Sequence, residues 1–195
     1  MKLYITKSIT YPEYCSLLEK LLSEGKTTGT NQSEYYLNYA KLNLARMNRL
    51  NKTLSLSEKL KTQLQKITKH YIWLVITEGW CGDASQNIPA LYLMEKENSN
   101  IELRIILRDE NLELMDKYLT NGSRSIPKLI CLEKVTLNEV FVWGPRPNDL
   151  QKISEELSKK SLSKEEKSLQ LQKWYNADKT LTLQNEFLEL TKLLN

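Results

Sequence analysis

Histidine occurs once in this chain of 195 residues, at His70, and cysteine three times, at Cys15, Cys81 and Cys131, with no closely spaced pair. Those numbers leave too few ligands for the usual zinc sets, so no metal site is expected. An odd number of scattered cysteines also argues against a disulfide-stapled secreted fold and suits a reducing compartment, which makes cytoplasmic residence the expectation. No apolar run approaches the length of a membrane span, and the opening Met1-Lys2-Leu3-Tyr4-Ile5-Thr6-Lys7 lacks the apolar core of a signal peptide. Neither sign of charge dominates: 28 Lys and Arg stand against 24 Asp and Glu, for a net +4. No stretch combines dense basic residues with interleaved aromatics, so neither nucleic acid nor a membrane is an expected partner. Internal repeats and low-complexity segments are absent from the sequence too.

The first 70 residues carry helical patterns. Thr10-Tyr11-Pro12-Glu13 and Ser55-Leu56-Ser57-Glu58 fit the capping box, in which a hydroxyl and a carboxylate three residues apart satisfy free N–H groups reciprocally. Leu37, Ala40, Leu44 and Met47 form one apolar stripe, and Leu60, Leu64 and Ile67 another. The polar segment from Gly25 to Ser33 is read as a loop. Residues 71–160 then alternate. The continuous apolar run Tyr71 to Ile76 and the run Ile101 to Leu107 predict two parallel strands joined by a helix. A helix is expected over Asp109 to Leu119, ended by Asn121-Gly122, and Lys128 to Leu132 with Val140 to Trp143 predicts a hairpin. Pro147 opens a helix on Leu150, Ile153 and Leu157. In residues 161–195, Ser163 to Glu166 is a further capping box, and Leu183, Phe187, Leu190 and Leu194 form a terminal stripe.

Trp80-Cys81-Gly82-Asp83-Ala84 stands directly behind the first apolar run, which puts one thiol at a strand-to-helix junction. A helix start has unpaired N–H groups and a partial positive charge, and both favour thiolate over thiol. Pro89 follows eight residues after Cys81, Ile126-Pro127 opens the later strand, and Gly144 ends the next one. In this order these features resemble the bacterial thioredoxin family over roughly Tyr71 to Lys160. The resemblance implies an α/β thioredoxin-like fold, a central mixed sheet flanked by helices, with helical extensions at 1–70 and 161–195. It also implies a cis-proline at Pro127 that faces Cys81, and a substrate strip formed by Ser125, Ile126 and Pro127 together with Trp80 and Gly82.

Two departures from the family pattern shape the functional reading. Ala84 stands where a thioredoxin has its second cysteine, so a mixed disulfide on Cys81 has no neighbouring thiol to release it. The implied chemistry is monothiol thiol-disulfide redox with a disulfide-containing partner, completed by an external low-molecular-weight thiol and without a bound cofactor. Cys131 lies four strand residues, roughly 13 Å, beyond Pro127 and is read as core. Cys15 is the remaining internal candidate for a resolving thiol. The second departure is Val75, where thioredoxins carry a proton-handling aspartate. Asp83 does not simply replace it: a carboxylate about 6 Å from the sulfur would disfavour the thiolate by about 2–3 kcal/mol at an effective dielectric of ~20. Asp83 therefore needs a countercharge, with Arg124 the first candidate and Arg108 and Arg146 behind it, unless each of these is a solvated surface charge. Asp83 is alternatively a helix N-terminal cap.

The catalytic set under this reading is Cys81, Asp83 and Arg124. Two competing readings keep the same fold. One is a non-catalytic binding module that captures an extended peptide along Ile126-Pro127 by strand addition. The other is a structural descendant in which helices cover an inert Cys81.

Overall fold

Tyr71–Thr77 forms β1, and all seven residues are buried, as a strand covered on both faces must be. The computed structural model describes residues 1–194. Four strands make one sheet in the order β2-β1-β3-β4, with β2 at Ile101–Leu107, β3 at Lys128–Glu133 and β4 at Glu139–Trp143. β2 pairs with β1 in parallel, whereas β3 pairs with β1 and β4 in antiparallel fashion, so the sheet is mixed as expected. The parallel connection is carried by α5, Gly82–Glu97, which begins directly after Cys81.

Besides α5, five helices lie ahead of the sheet in the chain or within its span: α1 (Lys2–Lys7), α2 (Tyr11–Ser23), α3 (Glu34–Thr53), α4 (Glu58–Leu64) and α6 (Leu112–Met115). After the hairpin come α7 (Asn148–Ser158), α8 (Lys164–Asp178), α9 (Leu181–Leu190) and a closing 3₁₀ turn, Thr191–Leu194. Among the described residues, no helix is long and apolar enough to cross a membrane. α3 packs on α5, α2 on α3, α4 on α9 and α7 on α8, so the apolar stripes of both extensions find partners. Phe187 of α9 sits 5.2 Å from the ring of Trp73 on β1 and 6.3 Å from Phe141 on β4. Phe187 is fully buried, and truncating such a side chain costs about 3–5 kcal/mol. The C-terminal extension thus supplies core. At the outer edge of β2, Ile9 exchanges two backbone hydrogen bonds with Ile105, at 2.8 and 2.7 Å, which blunts an edge strand that would otherwise be open to pairing.

Two local expectations are revised. The expected box at Ser55–Glu58 is not formed: Ser57, with β-region backbone, is the N-cap and accepts from Leu60 N–H, while the Ser55 carbonyl accepts from Gln184. The expected helix from Asp109 to Leu119 contracts to the single turn of α6. Leu114 and Met115 reach the core, but Leu112 and Leu119 stay exposed, so no continuous stripe rewards a longer helix. The boxes at Thr10–Glu13 and Ser163–Glu166 are complete on both sides.

Candidate functional site

The site is assembled at the C-terminal end of β1. The chain leaves the sheet at Thr77, turns through Glu78, Gly79 and Trp80, and places Cys81 as the N-cap of α5. The N-terminal extension holds this turn: Thr28 Oγ1 accepts from Gly79 N–H at 2.7 Å, and buried Asn43 on α3 donates to the Gly79 carbonyl at 3.0 Å. Asn43 Oδ1 in turn accepts from Arg46 at 3.0 Å and from Ser85 of α5 at 3.2 Å. Opposite the turn, the Ile126-Pro127 peptide is cis, and the Cys81 thiol donates to the Ile126 carbonyl at 3.2 Å. Gly144, at φ +110°, lies so close to that strip that a Cβ there would stand 2.3 Å from the Pro127 carbonyl oxygen, so both its backbone conformation and its surroundings require glycine.

Cys81 is 7% exposed, and its thiol is pushed up to about 12. Burial is the main cause and the Asp83 carboxylate the second. The Ala84 N–H, 3.5 Å from Sγ, and the Arg146 guanidinium pull the other way without winning. The activation expected from the helix start is therefore outweighed by desolvation. Cys131 is fully buried opposite Trp73 in the β1–β3 register, and burial pushes its thiol up as well. Cys15, on α2, is half-buried, and all three cysteines are free.

Asp83 has a countercharge, but it is Arg146 rather than Arg124. Arg146 Nη2 lies 2.7 Å from Asp83 Oδ2, with both side chains largely buried. Arg124 instead makes a two-pronged pair with Asp116, at 2.6 and 2.9 Å, on a half-exposed surface. Asp116, the C-cap of α6, thus takes up the Arg124 guanidinium, while Arg146, two residues after Gly144, meets Asp83. Arg108 pairs with Asp109 at 2.7 Å and stacks over Trp80, 4.8 Å from the ring centre. Sequence reasoning missed Tyr175 of α8: its hydroxyl donates to Asp83 Oδ1 at 2.9 Å and accepts from Asn87 at 3.0 Å, and it is buried. It missed Glu78 too. That carboxyl is fully buried, accepts from Asp109 N–H at 2.9 Å through Oε1, and leaves Oε2 without a partner; burial pushes it up to about 7.

Above Cys81 a cleft of about 440 Å³ opens between α3 and α8. Its walls include Tyr36 and Tyr39 of α3, Trp80, and Leu171 and Tyr175 of α8, with Ser125 and Ile126 at the far side. Tyr36 meets the Trp80 ring edge-on at 5.0 Å. The volume is that of a small-molecule pocket.

The sequence pattern of the family described as Thioredoxin matches residues 29–160, two thirds of the chain. The chain therefore belongs to the thioredoxin-like proteins. The matched stretch begins ahead of α3, so the helix that braces the Cys81 turn lies within it. No curated protein matches the sequence. Among solved structures, the chain is similar to a protein of unknown function from Pseudomonas aeruginosa, at 19% identity and a TM-score of 0.59 over 94% of this chain and 98% of that one. It is similar also to an HIV epitope scaffold, at 19% identity and a TM-score of 0.56 with the same coverage. Both likenesses concern the fold, which is the mixed-sheet thioredoxin-like architecture with helices on both faces.

Proposed function

We propose that this thioredoxin-like protein is a ligand-binding module that holds Cys81 as a neutral thiol on the floor of its cleft. One observation carries the reading: the thiol is buried, donates to the Ile126 carbonyl, and has its ionisation pushed up to about 12. At neutral pH a group displaced that far is ionised in only about one molecule in 10⁵. Nucleophilicity rises with basicity, but less steeply than the thiolate fraction falls, so such a thiol is slower than an ordinary one before access is counted. The Ile126 carbonyl, which an extended peptide would use for strand addition, already accepts from the thiol, and α3 and α8 wall the cleft. Both features support a small ligand over a long peptide. The order of labelling tests this. With iodoacetamide near neutral pH, half-buried Cys15 should react first and Cys81 lag well behind; rapid, selective modification of Cys81 would overturn the reading.

A second reading, monothiol redox exchange, is supported by the place of Cys81: it lines the cleft, the Ala84 N–H points at its sulfur, and Ala84 leaves no adjacent thiol. Its cycle would have the Cys81 thiolate attack a substrate disulfide, release one substrate thiolate, and be freed by an external thiol that takes over the mixed disulfide. Incubation with glutathione disulfide distinguishes the two. A stable adduct on Cys81 of the folded protein favours exchange, and none favours the binding module.

A further inference from the structure

Resting on the binding reading above, we infer that the cleft between α3 and α8 is an anion site that takes a small ligand with two or more negative charges on phosphate or carboxylate groups. Six cationic side chains line it, Arg46, Arg108, Arg124, Arg146, Lys164 and Lys167, against one carboxylate, Asp83. Three of the six are already neutralised: Arg108 by Asp109, Arg124 by Asp116 and Arg146 by Asp83. Arg46, Lys164 and Lys167 have no carboxylate within ion-pair distance among the described residues.

Arg46 is the most telling of the three. It is half-buried, its only side-chain hydrogen bond among the described residues goes to the neutral Asn43 Oδ1, and burial lowers its affinity for its proton. A guanidinium removed from water with no countercharge is costly, and an anion beside it would offset that cost. Its Nη1 stands 4.0 Å from where a Cβ of Gly82 would be, so it reaches the mouth of the cleft at the first turn of α5. A second observation points the same way. Arg146 Nε is buried with no acceptor, although the same guanidinium pairs with Asp83 through Nη2. The cleft is thus lined by one guanidinium without a countercharge and by a second whose buried Nε lacks an acceptor among the described residues. Lys164 and Lys167 stand across from Arg46 on α8, so a ligand bound between them would be held from both helices. The volume limits the ligand to a small molecule, and the Tyr36, Tyr39 and Trp80 rings supply flat apolar contact beside the charges.

Isothermal titration calorimetry on the full chain at low salt, with pyrophosphate and with citrate as probes, tests the inference and separates its two sources. Saturable one-to-one binding of pyrophosphate alone assigns phosphate, and of citrate alone assigns carboxylate. Either should weaken as salt is raised. Arg46→Gln should weaken binding by about tenfold or more. The double variant Lys164→Gln/Lys167→Gln, on the first turn of α8, should do so as well, whereas Lys192→Gln on the far C-terminal turn should not. No saturable heat with either probe, or equal binding by the parent and the lysine variant, would overturn the anion site. Binding of an acidic peptide in the absence of small-anion binding would overturn it too. The labelling order of Cys81 is unaffected by these outcomes, so failure of the anion site and failure of the neutral-thiol reading are told apart.

Discussion

Arg146 on the loop after β4 and Asp83 in the first turn of α5 form a largely buried ion pair with Nη2 and Oδ2 2.7 Å apart, and Tyr175 closes it from α8. The pair sets the charge that the Cys81 sulfur experiences. Removing Arg146 leaves an unpaired carboxylate that is 11% exposed, so Arg146→Met should cost about 2–4 kcal/mol in urea unfolding and push the Cys81 thiol higher still. Arg124→Ala breaks only the half-exposed pair with Asp116 and should cost less than about 1 kcal/mol while leaving the thiol unchanged. Equal effects of the two substitutions would contradict the assignment of Arg146 as the countercharge.

Tyr175→Phe deletes one hydroxyl that serves both Asp83 and Asn87. A hydrogen bond to a charged acceptor is lost and the Asn87 amide loses one acceptor, so the substitution should destabilise the protein by about 1–2 kcal/mol. Hydrogen exchange should show α8 opening more often, with α9 unaffected because Phe187 anchors it separately in the core. Unchanged protection of α8 would argue against the hydroxyl as the link between the extension and the site.

Glu78 gives a pH dependence of defined sign. Its carboxyl is raised from an ordinary value near 4.5 to about 7, chiefly by burial, so the folded protein holds an extra proton between those values. Stability from this group is fully present below about pH 4.5 and is lost as pH rises through 7, by up to roughly 3 kcal/mol. Glu78→Gln keeps the acceptor for the Asp109 N–H and removes the titration, so unfolding free energy should vary less between pH 5 and 8 in the variant than in the parent. Parallel pH profiles would show that Glu78 does not titrate in this range.

What the sequence disclosed and what it withheld divide along a physical line. β1 was legible because a strand buried on both faces is apolar at every position from Tyr71 to Ile76, and the junction at Cys81 was legible because that run stops where a helix begins. Local patterns were less decisive where two residues competed for one role. Ser55 and Ser57 both offer a cap hydroxyl, and only the packed chain selects Ser57. Leu112 and Leu119 have helical spacing but stay exposed, so the stripe did not predict how far α6 extends. The partner of Asp83 was beyond reach because the pairing depends on how the Gly144–Arg146 turn folds back, and both Arg124 and Arg146 sit near strand ends. Tyr175 lies 92 residues from Asp83 on a separate extension, and nothing in its own segment marks it. Glu78 reads as an ordinary polar residue at a strand end, and its burial becomes visible only in the folded chain.

The state of the Cys81 sulfur is the central claim, and its ionisation is measured most directly by ultraviolet thiolate absorbance in a Cys15→Ala/Cys131→Ala background, with carbon NMR titration of the Cys81 Cβ as the site-specific check. The account predicts a single ionisation far above that of a free thiol, near 12 or not complete before the protein unfolds in alkali, with Asp83→Asn moving it down. A Cys81 ionisation at or below about 8, in the range of an activated thiol, would contradict the account and return the protein to the redox reading.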